Sequence, residues 1–130
     1  MELWVGAEFS GDIDNEMRVA RNFVVDKINE SISTRNYDLD LDSWDCIAII
    51  MEEDDYEEVI KYSKKKREID FRLKINHQEF SNSSPIKQQE LFYSLLLRSL
   101  DLLVEKGLSK DGINQLRSDT NIVAENNGWV

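Results

Sequence analysis

The sequence predicts an α+β fold, in which a mixed or antiparallel sheet of about four strands packs with two or three helices. Some segments alternate apolar and polar residues with a period of two, as strands do. Others repeat apolar residues every three or four positions, as amphipathic helices do. The chain has 130 residues, of which 41% are apolar, enough for one buried core. We therefore expect a single α+β domain over residues 1–130.

The first two predicted elements are a strand and a helix. The stretch ELWVGAEF alternates apolar residues with others, which is typical of a strand, and Gly11 ends it. A helical pattern then runs from Asp12 to near Ser33. Its apolar positions are Ile13, Met17, Ala20, Val24, Ile28 and Ile32. This spacing predicts one amphipathic helix.

The middle of the chain predicts three strands. The continuous apolar run WDCIAIIM fits a central strand that is buried on both faces. Two further runs, YEEVIKY and REIDFRLKI, flank the turn-like SKKK, and the second alternates apolar and charged residues. Together these two runs predict an antiparallel hairpin.

The last part of the chain predicts helices. Ser84 can cap a helix in which Pro85 takes the first position, and Gly107 can end it. A second, weaker helix is expected after Ser109, followed by an irregular tail, ENNGWV. The apolar stripe of the first helix consists of Leu91, Leu95, Leu96, Leu100 and Leu103.

The formal net charge of −10 arises from one segment. Between Asn36 and Ile60 there are ten acids and no lysine or arginine, so the other 16 acids cancel the 16 bases. Six of the ten lie in EEDDYEE, residues 52–58, directly after the predicted central strand. The segment is either a solvated stretch, partly neutralised by the basic run KYSKKKR, or a docking face for a basic partner. Its charge disfavours nucleic acid and acidic membranes as partners.

Catalytic residue patterns are not found in the sequence. His77 is the only histidine and follows a predicted strand, where a surface histidine is commoner than a general base. Cys46 lies in an apolar run and is expected to be an inert, buried thiol. A glycine-rich phosphate loop, a nucleophile elbow and zinc-ligand spacing do not occur. We expect no catalytic residue and no cofactor.

One pattern resembles a calcium loop. Asp38, Asp40 and Asp42 match the first three ligand positions of an EF-hand. The match fails at Ser43, where the loop needs glycine for its turn, and at Ile49, where it needs a bidentate glutamate. We therefore expect no specific metal site.

The sequence predicts a cytoplasmic protein. The N-terminus MELWVG lacks the basic start and long apolar region of a secretory signal, and no apolar run approaches the roughly 20 residues that cross a bilayer. Cys46 is the only cysteine, so an intrachain disulfide cannot form, which fits a reducing compartment.

These elements together resemble a known group of proteins. The tryptophan-bearing first strand, the amphipathic helix, the central strand that runs into acids and the leucine-rich helix in SPIKQQELFYSLLLRSLDLL are similar to the small immunity proteins encoded beside bacterial polymorphic toxins, including those of contact-dependent growth inhibition systems. The resemblance covers most of the chain. It implies a non-enzymatic inhibitor that binds the C-terminal toxin domain of its own locus. Many such toxins are nucleases with basic active clefts.

The predicted toxin-binding residues are the acids of the charged segment and two aromatic residues near them. They are Glu52, Glu53, Asp54, Asp55, Tyr56, Glu57, Glu58, Asp38, Asp40, Asp42 and Trp44. Tyrosine and tryptophan are common interface anchors, whereas exposed charges mostly tune association rate and specificity. Two alternatives remain at this point: an acidic adaptor or regulatory module that binds a basic cellular protein, and an enzyme with a carboxylate-bound metal. The expected oligomeric state is a monomer or a weak homodimer.

Overall fold

The computed structural model describes residues 3–9, 13–37, 39, 46–52, 58–63, 65 and 67–130, and of residues 52 and 59 only the backbone. A strand and a helix come first, three strands follow, and three helices complete the described chain. In chain order the elements are β1 (Trp4–Phe9), α1 (Asn15–Ile32), β2 (Cys46–Glu52), β3 (Val59–Ser63), β4 (Glu68–Lys74), α2 (His77–Asn82), α3 (Pro85–Glu105) and α4 (Lys110–Asn127).

The four strands form one mixed sheet in the order β1-β2-β4-β3. β2 pairs in parallel with both β1 and β4, whereas β3 pairs antiparallel with β4. The hairpin predicted from the sequence is therefore confirmed, with its second strand beside β2 and its first strand at the edge. The mixed sheet with helices on it confirms the α+β class.

The helices cover one face of the sheet. α1 and α3 pack on this face, and α4 packs across α1 and α3. The strand side chains that point toward the helices are buried, namely Val5, Ile47, Ile49, Met51, Ile69, Phe71 and Leu73. On the other face Cys46, Ala48 and Ile50 are only half-buried, because none of the described helices packs there. β2 is thus central, as predicted. Its apolar run had suggested burial on both faces, but helices cover only one of them among the described residues.

The two long helices predicted from the sequence begin and end close to the expected residues. The Asp14 side chain caps α1 by accepting the Met17 N–H at 2.8 Å, and five of the six predicted apolar positions are buried. Ser84 caps α3, with Pro85 in its first turn. Gly107 follows this helix with a φ of +91°, a conformation that side chains rarely adopt.

The structure adds one helix that was not predicted and orders much of the tail that was expected to be irregular. Asn76 caps the short helix α2, which begins at His77. The helix α4 continues through Glu125 to Asn127, so the expected irregular tail is wrong for the first half of its length. Gly128 ends α4 with a φ of +76°, and Trp129 folds back into the core.

The outer edge of β1 is covered by a side chain from α1. Asn29 accepts the Val5 N–H and donates to the Val5 carbonyl, both at 2.8 Å. An uncovered strand edge is a template for pairing with another chain, so this contact also protects the sheet.

We expect Asn29→Ala to lower the free energy of unfolding by about 2 kcal/mol, since it removes two hydrogen bonds and leaves two backbone groups without a side-chain partner. Urea unfolding checks this. The matched control is Asn22→Ala, an exposed asparagine in the same helix whose side chain accepts a hydrogen bond from its chain neighbour Arg21. Equal effects of the two substitutions would contradict the role given to Asn29.

Candidate functional site

Both ends of the acidic segment 52–58 lie at the same place on the sheet. Glu52 is the last residue of β2 and pairs in register with Lys74, the last residue of β4. Glu58 lies beside β4, and its Oε1 accepts the backbone N–H of Lys74 at 3.3 Å. The chain therefore leaves and re-enters the described structure at the carboxyl ends of β2 and β4, an edge that we call the acidic edge.

An ion pair with α3 fixes the second end of this segment. Glu58 Oε2 accepts a hydrogen bond from Nη2 of Arg98. The Glu58 side chain is only 19% exposed, whereas Arg98 is half exposed. Glu58 therefore anchors the segment to the domain. The remaining predicted residues of the segment lie outside the described residues: Glu53, Asp54, Asp55, Tyr56 and Glu57.

The described residues of the basic turn between β3 and β4, Lys65 and Arg67, lie far from the acidic edge. Lys65 and Arg67 precede Glu68, the first residue of β4, whereas Glu58 contacts Lys74, the last. Six residue steps along a strand span about 20 Å, twice the Debye length at physiological salt. Among the described residues, Glu58 is therefore neutralised by Arg98 and not by Lys65 or Arg67.

The second group of predicted acids adjoins the opposite end of β2. The described residues on either side of it are Leu39, which is buried, and Cys46, the first residue of β2. Glu52 lies at the other end of that strand, about 20 Å away. The two acidic groups are thus attached to opposite ends of one strand. The members of the second group lie outside the described residues: Asp38, Asp40, Asp42 and Trp44.

A buried carboxylate holds the chain just before this second group. Asp119 of α4 is 4% exposed and accepts the Tyr37 hydroxyl at 2.6 Å. It also accepts Arg35 Nη1 at 3.3 Å and Gln115 Nε2 at 3.1 Å. Burial, and then the contact with Asp119, raise the pKa of the Tyr37 phenol far above its ordinary value of 10. Sequence reasoning missed this cluster because its members are up to 84 residues apart.

His77 and Ile49, the positions considered for catalysis and for a calcium loop, have structural roles. His77 begins α2, and the neighbouring Asp14 carboxylate accepts the Met17 N–H and the Ser81 hydroxyl. The Met17 N–H is the main cause of the lowered pKa of Asp14, against a smaller opposing effect of desolvation. Ile49, at the position where a calcium loop needs a glutamate, is buried in β2 under the helices. In the described part of the chain, no three His, Cys, Asp or Glu side chains are grouped to hold a metal ion.

The described elements form an α+β domain in which both ends of the acidic segment are held at one edge of the sheet. The chain belongs to the immunity protein 44 family, whose sequence profile matches residues 1–126. Family membership gives it a toxin-neutralising role, exercised by binding a cognate toxin. No curated protein and no solved structure matches the chain.

Within the described ranges, no helix combines the length and the apolar character needed to cross a membrane.

Proposed function

We propose that the protein neutralises its cognate toxin in the cytoplasm by covering a basic surface, the active cleft of a nuclease, with its acidic residues. The acidic edge supplies Glu52 to Glu58, and the second group supplies Asp38, Asp40 and Asp42. Tyr56 or Trp44 serves as an aromatic anchor. The observation that carries the proposal is the concentration of ten acids without one base in 25 residues. Tyr37 near the start of this stretch and Glu58 near its end hold it to the domain.

Electrostatics explains why such an arrangement inhibits a nuclease. A cleft that binds phosphates presents lysine and arginine, and carboxylates on a folded partner match that pattern. Concentrated charge of one sign also raises association rates by roughly 10-fold to 1000-fold at low salt. Anchoring at Glu58 limits the entropy that the segment loses when it binds. A standard interface covers about 800 Å² per partner, so surfaces beyond this segment also take part.

The test reverses four charges of the acidic segment that lie outside the described residues. Glu53, Asp54, Asp55 and Glu57 are changed to lysine together, while Glu58 keeps its contact with Arg98. We expect toxin affinity to fall by about 100-fold, equivalent to 2.7 kcal/mol, and its dependence on salt to weaken. Growth of cells that produce the neighbouring toxin domain should no longer be rescued.

A control variant separates the position of the charge from its amount. Asp26, Glu30, Glu105 and Glu125 are exposed on the helices, and changing them to lysine alters the net charge equally. Rescue should survive in this variant. Equal loss in both variants would show that only net charge matters, and unchanged affinity in the first would contradict the proposal. A neighbouring domain that is not toxic, or a folded wild type that gives no rescue, would favour an acidic adaptor instead.

A further inference from the structure

The face of the sheet opposite the helices carries a concave depression. Residues that alternate away from the helices line it, and the register places them side by side: Gly6 pairs with Ala48, which pairs with Asp70. The depression has a volume of about 600 Å³. None of the described helices packs on this face, so the depression is a separate surface from the helical layer.

The floor of the depression is made of small side chains. Gly6, Cys46 and Ala48 lie across two adjacent strands. A Cβ atom placed on Gly6 would have no described atom within 4 Å, and Gly6 does not have a positive φ. The backbone conformation at this position therefore does not require glycine. The effect of the glycine is to leave space above this part of the sheet.

The walls of the depression are charged and mainly acidic. The charged residues that line it are three carboxylates, Glu8, Glu68 and Asp70, and one guanidinium, that of Arg72. The Oδ1 atom of Asp70 is shielded from solvent and accepts no hydrogen bond within the described residues. Shielded carboxylate oxygens normally have donors, because a lost hydrogen bond costs more there than at the surface. The site therefore matches a ligand that brings a positively charged donor.

We propose that this depression receives a lysine or arginine side chain from a projecting segment of the cognate toxin, with Asp70 as its principal acceptor. The identity of the partner rests on the proposed function, but the contact is made by a surface other than the acidic segment. β2 runs from the depression at Cys46 to Ile50 directly to the acidic edge at Glu52. One toxin surface can therefore cover both, which supplies the additional area that a standard interface needs.

The first experiment fills the depression. Gly6→Tyr places an aromatic ring over the floor, at a strand position where tyrosine is favoured over glycine. We expect the urea midpoint to stay the same or to rise, while affinity for the inactivated toxin domain falls by about 30-fold or more. The matched control is Val19→Tyr, which adds a similar ring at an exposed position of α1, 59% exposed, and should leave affinity unchanged.

The second variant keeps the shape and removes the charge. Asp70→Asn has nearly the same size as the original side chain but cannot form a charge-assisted bond with a cation. We expect affinity to fall by about tenfold. A smaller loss of affinity in high salt than in low salt should accompany it, because charge pairs are screened.

The only cysteine of the chain lines the depression and reports on its occupancy directly. We expect the alkylation of Cys46 to slow by about tenfold when the full-length protein is saturated with an inactive, cysteine-free toxin domain. Reaction in urea gives the rate for the unfolded chain. This readout does not depend on whether any substituted protein folds.

The outcomes separate this inference from the proposed function. If Gly6→Tyr and Asp70→Asn bind like the wild type and Cys46 remains reactive in the complex, the depression is not the contact, although loss of binding on reversing Glu53 to Glu57 would still support the acidic segment. If Val19→Tyr loses affinity as strongly as Gly6→Tyr, the effect is not specific and the inference is overturned.

If the wild type does not bind the toxin, both proposals fall. Alkylation of Cys46 that is slowed by free arginine alone, and not by toxin, would show a small-molecule site and contradict the proposed occupant.

Discussion

We expect Trp129→Ala to lower the free energy of unfolding by about 4 kcal/mol, although the residue is the second from the C-terminus. The side chain is 3% exposed. Its ring lies 5.8 Å from that of Tyr93 and 6.5 Å from that of Phe23, centroid to centroid, and so joins α1 to α3. The indole N–H donates to Gln89 Oε1 at 2.8 Å. Truncation to alanine removes this packing and the hydrogen bond together.

Two further substitutions make the Trp129 prediction specific. Trp129→Phe keeps an aromatic ring and loses the indole donor, so it should cost about 1 to 2 kcal/mol. Val130→Ala, at a residue that is 69% exposed, should cost less than about 0.5 kcal/mol. Urea unfolding followed by circular dichroism measures all three. A loss below about 1.5 kcal/mol for Trp129→Ala would show that the C-terminus is not part of the cooperative core.

The expected irregular tail was wrong because the end of α4 is set by a local motif and a distant contact. Gly128 takes a left-handed conformation, and the Trp129 N–H donates to the carbonyl of Ala124 at 2.9 Å, five residues back. This is the hydrogen bond of a Schellman motif. The glycine was visible in the sequence, but the pocket between Phe23 and Tyr93 that receives the tryptophan was not.

Periodicity predicted the elements better than it predicted their neighbours. The apolar spacing of α1, the alternation in β4 and the capping residues of α3 are local properties, and each agrees with the structure. The position of β4 between β2 and β3 follows from hydrogen bonding between segments that are distant in the chain. No local pattern encodes that order, because a strand that is apolar on one face fits either neighbour.

The candidate site was predictable as a charged segment but not as a surface. The six carboxylates of EEDDYEE are evident in the sequence. The pairing of Glu58 with Arg98 joins residues 40 positions apart, and only the fold brings them together. The fold also brings together Gly6 and Ala48 in the floor of the depression, because these residues are adjacent through the register of two parallel strands.

We expect Asp119→Ala to lower the free energy of unfolding by about 3 kcal/mol, because a buried acceptor for three side chains is lost. The hydroxyl of the half-buried Tyr37 loses its partner, whereas Gln115 and Arg35 are exposed and regain water. The matched control is Asp101→Ala. This helical aspartate pairs with Arg117 but is 64% exposed, and its removal should cost less than about 1 kcal/mol.

The pH dependence tests the Tyr37 contact in the same cluster. Burial and the neighbouring Asp119 raise the pKa of the Tyr37 phenol in the folded protein above its value of 10 in the unfolded chain. The folded state therefore holds this proton more tightly, so the stabilisation is complete below pH 10 and is lost as the pH rises above 10 toward the raised pKa. The difference in unfolding free energy between the wild type and Tyr37→Phe should be constant from pH 7 to about pH 9 and shrink by pH 11. A difference that stays constant across this range would mean that the phenol proton is not held by Asp119. Because Tyr37 immediately precedes the second acidic group, the same variant also shows whether this anchor contributes to toxin neutralisation.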